Sequence, residues 1–109
     1  MADILKEHVI HFPTHANDGT RFPKHLSILF QARLLEEFGG FTKHDAKGAW
    51  RDPESGKIHR ESMIRYIVAT DTHTGTDRLI HLAKWVCTLV NQKCVYVVTP
   101  DRGVLFVES

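Results

Sequence analysis

The sequence predicts an α+β sandwich, a mainly antiparallel sheet with two helices on one face. Three observations predict it. Apolar residues alternate with a period of two in short stretches, most clearly over residues 60–70. They recur about every four residues over 26–38 and again over 79–90. Turn-forming residues separate these stretches at Asn17-Asp18-Gly19, Gly39-Gly40, Asp52-Pro53-Glu54-Ser55-Gly56 and Pro100-Asp101-Arg102-Gly103.

Residues 4–12 are apolar and β-branched and read as a strand; 13–23 read as a loop. Leu26, Phe30, Leu34 and Phe38, with Leu29 and Leu35 beside them, form a helical stripe that Gly39-Gly40 closes as a C-terminal cap. A second strand runs over 41–51, interrupted by Gly48. In the turn after it, Pro53 suits the first corner and Gly56 the exit. The partner strand, 60–70, puts Ile64, Tyr66 and Val68 on one face and Met63, Arg65 and Ile67 on the other. Residues 71–77 read as a polar loop in which Thr76 or Asp77 caps the next helix. Leu79, Leu82, Ala83, Val86, Leu89 and Val90 give that helix its apolar side. Residues 94–99 are nearly all apolar, as in a covered central strand, and a tight turn leads to a last short strand over 104–107. The order is β-α-β-β-α-β plus a C-terminal hairpin strand, the split-βαβ, ferredoxin-like layout, expected as one domain over residues 1–109. The sheet face away from the helices is then solvated or covered by another copy. The last hairpin offers a second place for self-association, so a homo-oligomer is expected.

Composition narrows the function. The 109 residues carry 14 Lys+Arg against 13 Asp+Glu, with 42% hydrophobic and 25% charged residues, as in ordinary globular proteins. A net charge of +1 argues against a nucleic-acid partner, and the basic stretch over 43–65 is interrupted by Asp45, Asp52, Glu54 and Glu61. No apolar run approaches the ~20 residues of a membrane span. Met1-Ala2-Asp3 does not begin a secretion signal, so a cytoplasmic location without membrane association is expected. Cys87 and Cys94 are then reduced and read as small buried hydrophobes. Neither GxGxxG nor GxxxxGK[ST] occurs, which disfavours Rossmann cofactors and Walker-type nucleotide hydrolysis. His8, His11 and His15 have the form HxxHxxxH, but strand residues three apart point to opposite faces. His73 and His81 have no carboxylate at ligand spacing, so no metal site is expected from the eight histidines. Neither Ser27 nor Ser55 sits in a GxSxG elbow, and no nucleophilic triad emerges. A chain this short has little material for a deep private site, so a pocket is expected at a subunit boundary.

One segment points to chemistry: Gly48-Ala49-Trp50-Arg51-Asp52, the turn, then His59-Arg60-Glu61-Ser62. Hairpin pairing brings Trp50 and Glu61 within one or two pairing positions. Two readings fit. In one, Trp50 packs on the sheet and Glu61 pairs with Arg51 or Arg60. In the other, a flat aromatic and a carboxylate receive a flat cationic ligand, with Gly48, Trp50, Arg60 and Glu61 as substrate-binding candidates.

At these residues the chain resembles the bacteriophage enzymes that degrade S-adenosylmethionine (SAM), formerly called SAM hydrolases and better described as SAM lyases. The likeness rests on Phe38-Gly39-Gly40-Phe41 at the end of the first helix and on Gly48-Ala49-Trp50-Arg51, the family's Gly-x-aromatic-Arg. It continues through Glu61 before Ser62-Met63-Ile64-Arg65, Ala83 and Cys87 four apart, and Gln92-Lys93-Cys94-Val95-Tyr96-Val97. Where the family usually carries tyrosine, this chain has Trp50, and its 71–77 loop is longer. The resemblance implies cleavage of SAM to methylthioadenosine and homoserine lactone by attack of the substrate's own carboxylate, with no cofactor or metal. It implies Glu61 as the catalytic residue near the sulfonium or amino group, Trp50 against the adenosine or sulfonium, and trimers with sites between subunits. Phage anti-restriction in the host cytoplasm is the role it suggests. The competing class is a non-catalytic small phage or bacterial binding protein, either a host-defence inhibitor or a ligand-binding regulatory domain of the same layout. A third is a small oxygenase or haem-handling α+β dimer that uses a histidine.

Overall fold

The computed structural model describes residues 4–109; Met1, Ala2 and Asp3, on which the expectation about a secretion signal rests, lie outside them. The chain runs β1 (Lys6–Pro13), α1 (Lys24–Phe38), β2 (Thr42–Arg51), β3 (Ile58–Thr70), α2 (Gly75–Leu89), β4 (Cys94–Thr99) and β5 (Gly103–Glu108). The strands form one sheet in the order β2-β3-β1-β4-β5, every neighbouring pair antiparallel. The ferredoxin-like α+β arrangement is therefore present, with β5 added as a hairpin partner of β4.

Alternation along the strands sorts side chains between two faces. His8, Ile10 and Phe12 of β1, Tyr66 and Val68 of β3, and Val95 and Val97 of β4 are buried on the helix side. Phe30 and Leu34 from α1 and Leu79, Leu82, Ala83 and Val86 from α2 close over them. Phe30 stacks on Phe12 at 4.8 Å and meets Tyr66 edge-on at 5.0 Å. Each such side chain contributes roughly 1.5–3 kcal/mol through removal from water.

Three local expectations change. Leu29 and Leu35 are 45% and 51% exposed rather than part of the helix–sheet contact. At 3.6 residues per turn each lies about 120° from the Phe30–Leu34 line, outside the strip that reaches the sheet. Next, α2 begins at Gly75, so Thr76 and Asp77 sit inside its first turn and neither caps it. Thr74 holds the N-cap position without a side-chain cap bond, and Asp71 braces the turn before it: Oδ1 accepts from the backbone N–H of His73, Thr74 and Gly75 at 2.9, 2.8 and 3.2 Å. Gly75 is needed there because a Cβ would overlap the Thr70 side chain. Thr76 instead turns inward, fully buried, and bridges His8 Nε2 and Asp101 Oδ1. Finally, Cys87 is buried and donates to the Val107 carbonyl at 3.2 Å, but Cys94 is exposed. Cys94 opens β4 on the pleat opposite Val95 and so lies away from the helices.

The β2–β3 hairpin outruns the core. Its strands have 10 and 13 residues, and β2 is exposed along nearly its whole length. The molecule is accordingly elongated, 51 × 31 × 24 Å. Among the described residues no helix is long and apolar enough to cross a membrane.

Candidate active site

The face of the sheet without helices is concave. A cavity of about 1010 Å³ opens on it, bordered by Gly48 and Trp50 of β2, Glu61, Met63 and Arg65 of β3, His11 of β1, Tyr96 of β4 and Phe106 of β5. The 15–19 loop closes one end through His15, Ala16, Asn17 and Gly19.

Hairpin register fixes the first part of the site. Gly48 pairs with Glu61 and Trp50 with His59, so Trp50 and Glu61 are diagonal neighbours on one pleat. The Trp50 indole N–H donates to Glu61 Oε1 at 3.1 Å. The indole also stacks on His59, with centroids 4.4 Å apart and planes 15° from parallel. Glu61 makes no ion pair with Arg51 or Arg60 among the described residues. Trp50 remains 49% exposed. One face of its ring rests on His59. Gly48 leaves the position opposite Glu61 bare; a Cβ there would make only an ordinary 3.5 Å contact with Met63. The fold itself does not demand glycine at that point. Arg60 borders the cavity, but it leaves β3 on the pleat opposite Glu61, paired with Ala49.

A second cluster lies farther along the same face. The His11 ring stacks on Tyr96 at 4.5 Å, and Tyr96 meets Phe106 edge-on at 5.7 Å. The Arg65 guanidinium donates from Nη1 to His11 Nε2 at 3.1 Å. Burial, then the Arg65 charge, pushes the His11 pKa below its ordinary 6.5, while Glu61 pulls the other way. His11 therefore presents a neutral ring with an accepting Nε2. Sequence reasoning did not select His11, Arg65 or Tyr96 as site residues. Alternation already assigned Arg65 to the Met63 face; the β1–β3 register that sets it opposite His11 was the missing piece.

His8 and His11 fall on opposite faces, as three-residue spacing on a strand requires. Among the described residues, no three His, Cys, Asp or Glu side chains gather to hold a metal ion. The site is thus an aromatic wall with a carboxylate at one part and a guanidinium at another. An aromatic face beside a carboxylate can attract a flat group that carries positive charge.

No family model matches the sequence, and no curated protein matches it. Solved structures do. A phage SAM lyase in complex with S-methyl-5'-thioadenosine superposes with a TM-score of 0.76 at 13% identity, covering 100% of this chain and 93% of that one. A phage SAM lyase in the apo state gives 0.71 at 16% identity over 94% of this chain and 88% of that one. A Bacillus cereus protein related to NIF3 gives 0.63 at 12% identity, and the match takes in only 27% of its length. Over its described length, this chain has the fold of the phage SAM lyases.

Proposed function

We infer that this protein is a SAM lyase. The observation that carries the reading is the Trp50–Glu61 pair, hydrogen-bonded at 3.1 Å within a cavity of a fold shared with phage SAM lyases. In the reaction a carboxylate oxygen of the substrate attacks its own γ-carbon. The Cγ–S bond breaks, its electron pair returns to sulfur, and methylthioadenosine leaves as a neutral thioether beside homoserine lactone. No protein nucleophile, water or cofactor enters the balance. The protein's part is to fold the methionine tail into an attacking pose, an effect of proximity and orientation.

Glu61 lies near the sulfonium or the amino group and biases that pose. It must not hold the ground-state charge too tightly, because that charge is already diminished in the transition state. Trp50 aims its carboxylate and offers a ring face to the adenosine or sulfonium. Gly48 leaves room beside it, and Arg60 contributes at the border. The cavity is open on this face, and a second and third copy of the chain close it in a trimer. Depletion of SAM in a host cytoplasm would deny methyl donor to restriction–modification systems, which is the phage's gain.

The test is incubation of purified protein with SAM and chromatography for methylthioadenosine. Product from wild type and none from a folded Glu61→Gln variant supports the reading. Thermal stabilisation by SAM without product would make the protein a ligand-binding domain, and no response to SAM would favour a protein inhibitor.

A further inference from the structure

We propose that Arg65, held in place by His11, forms an anion subsite for the carboxylate of the ligand's amino-acid tail. This deepens the SAM-lyase reading and rests on it. Arg65 is half-buried in the cavity wall, and none of the ion pairs among the described residues involves it. A guanidinium has five N–H donors, and the bond to His11 Nε2 engages one. The rest of the fork is available to a planar acceptor, and carboxylate is the acceptor whose geometry it matches. Lys47 and Arg60 also border the cavity, but both leave their strands on the opposite pleat, which makes Arg65 the cation of this face.

The guanidinium is oriented, not merely present. His11 is clamped by its stack on Tyr96, so its accepting nitrogen is a fixed point for Nη1. Its neutral state follows from burial and from Arg65 itself, which leaves the positive charge on the guanidinium. Glu61 and Arg65 lie four residues apart on one pleat of β3, about 13 Å between Cα atoms at strand rise. Met63 lies between them as an apolar floor. A ligand positive near Glu61 and negative near Arg65 fits that polarity. A dianionic ligand does not, because Glu61 opposes it. The class is a nucleoside that carries a zwitterionic amino-acid tail.

Two nucleosides separate the subsite from the rest of the site. S-adenosylhomocysteine keeps the amino-acid tail but has no sulfonium to cleave; methylthioadenosine lacks the tail. Calorimetric titration of wild type, Arg65→Gln, Arg65→Lys and His11→Phe with both is the experiment. Arg65→Gln should weaken S-adenosylhomocysteine about tenfold, the scale of one charged hydrogen bond, and leave methylthioadenosine within about twofold. Arg65→Lys should recover part of the loss. His11→Phe, which keeps the stack and removes the acceptor, should weaken the tailed ligand about threefold, with unchanged circular dichroism. Equal shifts for both ligands, or no shift for either, overturn the subsite while the lyase reading stands. Wild type that binds neither nucleoside overturns both.

Discussion

The indole of Trp50 has a single N–H, and Glu61 Oε1 takes it at 3.1 Å. The indole therefore cannot donate to a ligand at the same time, and it has no acceptor to replace a phenol oxygen. In the proposed reaction its contribution would come from the ring face that His59 leaves uncovered, and from the aim it gives Glu61. Trp50→Phe keeps the face and loses the donor. Its kcat on SAM should fall about three- to tenfold, the worth of one ordinary, solvent-exposed hydrogen bond of about 0.7–1.4 kcal/mol. Trp50→Ala should lose far more. Steady-state kinetics with chromatographic product detection reads both. His11 sets a pH dependence at this scale. Its pKa is lowered in the folded chain, so the unfolded chain takes up the proton first as pH falls below the ordinary 6.5. The His11 contribution to stability is thus complete above that value and is lost as pH falls beneath it. Urea titrations at pH 7.5 and pH 5.5 should show less stability at the lower pH, and His11→Phe should narrow the gap.

At the scale of elements, α2 is tied to the end of β3 by a close approach and a braced turn. Gly75→Ala should destabilise by roughly 1–3 kcal/mol, the usual cost of overpacking, because the new methyl meets Thr70. Adding Thr70→Ala should return part of that loss; a Gly75→Ala protein as stable as wild type would contradict the packing. Asp71→Ala should lower the melting temperature by removing the acceptor of the His73, Thr74 and Gly75 amides. The start of α2 was not legible because Asp71, Thr74, Thr76 and Asp77 are all cap-type residues, and only tertiary contact with Thr70 and His8 decides where the helix begins. Much else was legible for a physical reason. Ile64, Tyr66 and Val68 alternate because one face of β3 is covered, and the Asp52–Gly56 turn sets the hairpin register that joins Trp50 to Glu61. The Arg65–His11 contact spans 54 residues of sequence, and no local signal encodes that pairing. Leu34→Ala, at a fully buried position of α1, should cost about 2–5 kcal/mol in a urea titration.

For the whole molecule, the two faces of the sheet have different tasks. The helix side holds the core, while the other side exposes Trp50, Val104 and Phe106, the last at 67%. Apolar side chains exposed together on one face suit contact with another chain. A trimer that closes over the cavity would cover it, and sedimentation equilibrium should give about three times the 12.5 kDa chain mass. A monomer that still turns over SAM would remove the shared-site element of the proposal. The layout alone hosts many functions. What separates one such function from another is the cavity. The most direct measurement of the lyase reading is product analysis after incubation of the purified wild-type chain with SAM. Wild type should give methylthioadenosine and homoserine lactone in equal amounts, and folded Glu61→Gln neither. Intact SAM after prolonged incubation with folded wild type would contradict it.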